Sequence, residues 1–158
     1  MTERHVLSRL IITEELGALM SQQVNDLAAD EAIVGCAVLD ASGLTLAYSG
    51  EGRMGDPGVA ALVAASFRTL AELAKMTGEN SPQTFVLPGV ETRTLCFRLE
   101  SGDFLIVQAA ASSPVEELEA TLLPVEQALG VALNHARLGP APDPLPGAAA
   151  LDDIFGDL

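Results

Sequence analysis

Side chains able to do acid–base or nucleophilic work are few in this sequence. Its histidines are His5 and His135, its cysteines Cys36 and Cys96, and its single lysine is Lys75. General acid–base catalysis needs a titratable group poised beside a substrate. His5 precedes the first patterned segment, and His135 falls in the last turn of an expected helix, where a cation meets free carbonyls. Cys36 and Cys96 each lie inside an apolar run, without the C-x-x-C spacing of zinc or redox sites. Both are expected as reduced, buried thiols. No phosphate-binding G-x-x-x-x-G-K-[ST] loop surrounds Lys75, neither G-x-S-x-G nor H-E-x-x-H occurs, and Gly50, Gly52 and Gly55 do not make the dinucleotide fingerprint. These absences point to a binding module without an active site, metal or cofactor. A small-ligand sensor using the apolar interior and the glycine loop 50–55 is the competing class.

Charge narrows the partners. With 22 acidic and 8 basic residues the formal net charge is -14, which repels a phosphate backbone instead of releasing its counterions. The arginines are scattered, so no basic stripe is available for anionic lipid. The first residues lack the apolar stretch of a secretory signal, and no run reaches the 18 or more apolar residues expected of a membrane span. The expectation is a cytosolic protein that binds neither nucleic acid nor membrane. At 158 residues and 49% hydrophobic content, one domain can close a core without disulfides or metal.

The elements that position any surface follow from caps and periodicity. Thr13 before Glu14 and Glu15 caps a helix running to about Ala29, with Leu16, Leu19, Met20, Gln23 and Leu27 at helical spacing. Ile33 to Leu39 and Leu44 to Tyr48 flank the turn residues Asp40-Ala41-Ser42-Gly43 and form a hairpin. Asp56-Pro57 opens a second helix that Gly78 ends near Thr77. Phe85 to Leu87, between Pro82 and Pro88, reads as an edge strand. Thr92 to Leu99 and Phe104 to Ala109 flank Glu100-Ser101-Gly102-Asp103 in a second hairpin. Ser113, Pro114 and Glu116 fit a capping box for a last helix, which Pro124 should kink or split. The order is αββαβββα, an α/β (α+β) domain over residues 13–138. An extension, 1–12, precedes it. A proline-rich linker, 139–147, follows and favours an extended spacer of about 3.1 Å per residue.

Two stretches could carry binding. On the second helix, Val59, Leu62, Val63, Ser66, Phe67, Leu70, Leu73 and Ala74 share one arc, expected to face the core. The opposite arc holds Ala60, Ala61, Ala64, Ala65, Arg68, Ala71, Glu72 and Lys75. Its small residues invite close approach of a partner, and Ala61, Ala64, Arg68, Glu72 and Lys75 are the candidate contacts. The terminal segment 148–158 places Leu151, Ile154, Phe155 and Leu158 at i, i+3, i+4 and i+7, with Asp152, Asp153 and Asp157 on other faces. Burying those apolar groups is worth about 6 to 12 kcal/mol, against about 8 to 16 kcal/mol for ordering eight residues. The tail is therefore expected to fold on contact with a partner.

Gly35-Cys36-Ala37-Val38-Leu39-Asp40-Ala41-Ser42-Gly43-Leu44 resembles the first hairpin of Roadblock-type domains. Leu62-Val63-Ala64-Ala65-Ser66-Phe67, with Leu73-Ala74-Lys75-Met76-Thr77-Gly78-Glu79, resembles the central helix of MglB proteins, the bacterial Roadblock partners of the Ras-like GTPase MglA. The segment Leu151-Asp152-Asp153-Ile154-Phe155 is similar to their tail. The resemblance covers Leu16 to Leu138 and implies a five-stranded antiparallel sheet sandwiched between helices, the central helix on one face and the outer two on the other. It implies a homodimer that pairs central helices and joins edge strands, here Phe85, Val86 and Leu87. It further implies a regulator that stimulates an MglA-like GTPase without contributing an arginine finger. The tail residues Leu151, Asp152, Ile154, Phe155 and Leu158 would bind a second GTPase surface and modulate nucleotide exchange. The setting implied is cell polarity and motility, in the cytoplasm and concentrated at a cell pole. A Roadblock scaffold that binds a GTPase complex without stimulating hydrolysis shares the same fold signals.

Overall fold

The structure is a computed structural model that describes residues 10–138. Most of the extension 1–12, the linker 139–147 and the tail 148–158 lie outside the described residues, and with them the tail contacts Leu151, Asp152, Ile154, Phe155 and Leu158. Helix α1 (Glu14–Ala28) is capped by Thr13, whose hydroxyl accepts from the Leu16 N–H at 3.1 Å. Strands β1 (Ile33–Leu39) and β2 (Thr45–Gly50) form the first hairpin. Asp56 caps helix α2 (Pro57–Thr77) by accepting from Gly58 N–H at 2.8 Å. That bond, aided by Arg53, holds the Asp56 carboxyl below its ordinary range. Gly78 ends α2 in the left-handed region, which a side chain would disfavour. Strands β3 (Thr84–Leu87), β4 (Thr92–Arg98) and β5 (Phe104–Ala110) follow, then helix α3 (Val115–Leu138).

All pairings are antiparallel, and the sheet order is β2-β1-β5-β4-β3. Alternation divides the core into two layers. Cys36, Val38, Leu95, Phe97, Leu105 and Val107 meet α1 and α3, whereas Ala37, Leu39, Cys96, Phe104 and Ile106 meet α2. The central strands are covered on both faces, so their sequences read as continuous apolar runs. The antiparallel five-stranded sheet, its layers and the element order agree with the expected αββαβββα sandwich.

Helix α3 departs from expectation at its start, and of the kink or split expected at Pro124 the split does not occur. It begins at Val115, with the Pro114 carbonyl accepting from Leu118 N–H at 3.1 Å. Ser113 instead closes a turn through its N–H onto Ala110 O, because a residue before proline is pushed out of helical geometry. The expected capping box therefore sits one residue too early. Nor does Pro124 split the helix, which runs as one element through it. Pro124 is exposed, while Leu122, Leu129 and Leu133 on the buried side hold both halves to the sheet.

Helix α2 is rotated from the expected orientation. Ala60, Val63, Ala64, Phe67 and Ala74 are buried, while Leu62 is 70% exposed and Leu73 56%. Ala64, expected to face a partner, is 0% exposed. The cause lies in the β1–β2 turn. Gly43 has a positive φ of 93°, and a Cβ there would lie 3.1 Å from Ala61 Cα and 3.2 Å from Ala64 Cβ. The turn presses on α2, so small residues must face it and the leucines turn away.

Asp103 is the one buried charged residue among the described residues. Its carboxylate accepts from Ala41 N–H at 3.0 Å in the β1–β2 turn and from the Ser101 hydroxyl at 2.6 Å in its own turn. It also pairs with the Arg137 guanidinium near the end of α3. Three segments therefore converge on one carboxylate. Substituting Asp103→Ala removes the buried carboxylate that pairs with Arg137 and leaves the Ala41 N–H without its acceptor. The expected loss is about 3 to 5 kcal/mol, measured as a lower denaturant midpoint. Ala64→Leu should cost about 1 to 3 kcal/mol by overpacking against the Gly43 turn, whereas Ala61→Leu, on an exposed position, should cost less in the same assay.

Candidate interaction surfaces

At 100° per residue the rotation of α2 gives it three faces. The inward face has been described. A second holds Leu62, Ser66, Thr69, Leu73 and Met76, spaced by four and three residues in turn, the seam spacing of paired helices. Met76 is 84% exposed. The hydroxyls in or beside this seam are occupied locally. Ser66 donates to Leu62 O at 2.7 Å, Thr69 to Ala65 O at 2.9 Å and Thr77 to Leu73 O at 3.0 Å. A partner would therefore meet methyl and thioether groups without having to satisfy hydroxyl donors. The helix is also long and apolar enough by composition to cross a membrane. Its seam accounts for that, because one sheet face covers only part of its apolar surface.

The third face carries Ala61, Arg68, Glu72 and Lys75, all exposed and spaced as one stripe. Apart from Ala64, the candidate contacts are thus brought together, but on a face distinct from the seam. Periodicity alone placed Leu62 and Leu73 in the core, and the signal that could have moved them out is the exact heptad of Leu62, Thr69 and Met76.

Strand β3 is an edge, as expected, and is held to α2 by aromatic contact. Phe85 packs on Phe67 with ring centroids 4.8 Å apart, and Phe67 stacks on Phe104 at 4.7 Å. Phe85 is therefore half-buried and anchors the strand from within. Leu87 and Val90 face solvent, leaving Val86 and Leu87 as the members of the edge open to a partner.

Reactive chemistry is muted. Burial pushes the Cys36 thiol up to about 11 and Cys96 to about 12, and Cys36 Sγ donates to Val24 O at 3.2 Å. Neither sulfur is available as a thiolate nucleophile. Among the described residues no group of three or more His, Cys, Asp or Glu side chains could hold a metal ion. The glycine loop 50–55 sends Met54 into the core, and its Arg53 pairs with Asp56 at 2.6 Å. A groove between α3 and β3–β4 is rimmed by Glu116, Glu119 and Glu126 over Leu123. Desolvation, then repulsion from Glu119, raises the Glu126 carboxyl above its ordinary value.

No family model matches the sequence, and no curated protein matches it. Solved structures do match. MglB from Myxococcus xanthus superposes with a TM-score of 0.72 at 18% identity, covering 85% of this chain and 100% of that one. A structure described as MglB with tetrameric arrangement gives 0.70 at 17%, covering 80% of this chain and 96% of that one. A Roadblock/LC7 domain from Streptomyces avermitilis gives 0.61 at 17%, covering 75% of this chain and 98% of that one. Identities this low speak to architecture, and the architecture is clear: the chain has a Roadblock-type, MglB-like fold.

Proposed function

We propose that this protein is a non-catalytic, homodimeric regulator of a Ras-like GTPase of the MglA type. The observation that carries the reading is the exposed Leu62–Leu73–Met76 seam on α2 of an MglB-like fold. In a chain of net charge -14, like copies associate most readily through uncharged apolar surface. The seam provides it, and the exposed Val86 and Leu87 of edge strand β3 offer further uncharged surface. The separate stripe of Ala61, Arg68, Glu72 and Lys75 is then left for the GTPase, so α2 serves both partners with different faces. Stimulation would act by ordering the GTPase's own catalytic groups. The regulator would work in the cytoplasm, at a cell pole, in polarity and motility.

Leu73→Asp is expected to weaken self-association by about 30-fold or more, which corresponds to about 2 kcal/mol. Light scattering would show a smaller assembly than the parent's, with the far-ultraviolet circular dichroism unchanged. Arg68→Glu with Lys75→Glu should keep the assembly and lose GTPase binding. Phosphate release from an MglA-like GTPase, followed at saturating protein, tests the regulatory step. Acceleration supports a regulator, binding without acceleration selects the scaffold, and absence of binding rejects both. Deleting residues 148–158, which removes Leu151, Asp152, Ile154, Phe155 and Leu158, should leave fold and self-association intact while changing GTPase binding or nucleotide exchange. An unfolded deletion variant would refute the tail's independence.

A further inference from the structure

The sheet has a second open edge, β2, at the end opposite β3. Exposed edges are usually blunted by charge, proline or short length, because unpaired backbone groups template strand addition. Strand β3 follows that practice, being four residues long and bracketed by Pro82 and Pro88. Strand β2 does not. Leu44 to Gly50 contains no charge and no proline, and the side chains of Leu44 and Tyr48 are largely exposed.

The backbone of this edge is oriented for a partner. Glu51 N–H donates to Val34 O, and Cys36 pairs with Ser49, so odd-numbered residues here exchange bonds with β1. In an antiparallel ladder the residues between them turn their N–H and C=O outward. Tyr48 is such a residue. A cleft of about 460 Å³ runs along the strand and is lined by the consecutive residues Thr45 to Tyr48, with Ser21 of α1 on one wall and Gly55 on the other. Thr45, in this cleft, carries the one buried side-chain polar atom among the described residues that has no hydrogen-bond partner.

The side of α1 beside this strand is uncharged over its central turns as well. Asn25 accepts from the Ser49 hydroxyl at 2.7 Å, and its neighbours along that side of α1, Ala18, Ser21 and Gln22, carry no charge. In a protein this acidic, such a neutral strip is where two identical chains can approach without repulsion. We infer that β2 is a strand-addition site for β2 of a second copy, paired antiparallel across a two-fold axis near Tyr48. This interface is distinct from the α2 seam and extends the sheet at its other end. Two isologous interfaces on one chain generate assemblies larger than a dimer.

The test uses the full chain and light scattering across a concentration series. The wild type is expected to exceed dimer mass. Tyr48→Glu places like charges at the axis, and Tyr48→Pro removes an outward N–H that β1 does not use; each should reduce the mass to that of a dimer with circular dichroism unchanged. Leu73→Asp should leave a dimer held through β2, and Leu73→Asp with Tyr48→Glu a monomer. A wild type that stays dimeric, with Tyr48→Glu and Tyr48→Pro without effect while Leu73→Asp yields a monomer, overturns the β2 inference and leaves the proposed seam standing. Monomers from Tyr48→Glu together with no effect of Leu73→Asp would support β2 pairing and reject the seam.

Discussion

The surface chemistry of this protein depends on how closely α2 sits on its own sheet. Gly43 in the β1–β2 turn lies against Ala60, Ala61 and Ala64, where an added Cβ would come within 3.1 to 3.2 Å of the helix. That contact sets the rotation of the helix. Phe67 is thereby aimed at Phe104 and Phe85, the edge strand is held in place, and Leu62, Leu73 and Met76 are turned to solvent. Dispersion and burial on one side of the helix therefore dictate what the other side offers.

This explains what was legible in the sequence and what was not. Element order and most boundaries follow from local chemistry: Thr13 and Asp56 as caps, Gly78 as a stop, and turn residues at Asp40–Gly43 and Ser101–Asp103. Each of those groups satisfies backbone donors or acceptors within a few residues, so neighbours in sequence suffice to recognise it. The rotation of α2 was misread because periodicity separates arcs without saying which faces inward. Alanine serves as readily under a close-packed turn as on a solvated face. Asp103 was recognised as a turn residue but not as a buried ion-pair partner, since Ala41 and Arg137 lie 62 and 34 residues away.

The two sheet edges show the same principle in opposite forms. Strand β3 is short, bracketed by prolines and tied down through Phe85, while β2 is longer, uncharged and open along its backbone. A net charge of -14 keeps copies apart almost everywhere on such a molecule. The places where charge is missing therefore carry more information than the places where it is present.

The Asp103 node also bears on how the chain reaches and leaves its fold. The β1–β2 turn, the β4–β5 turn and the end of α3 must all be in position before the carboxylate can be satisfied. A carboxylate held by segments 34 and 62 residues away in sequence is satisfied only when all of them are docked. Asp103 and Arg137 thus work as a latch: opening any one of the three segments leaves a buried charge under-satisfied and so couples that segment to the other two.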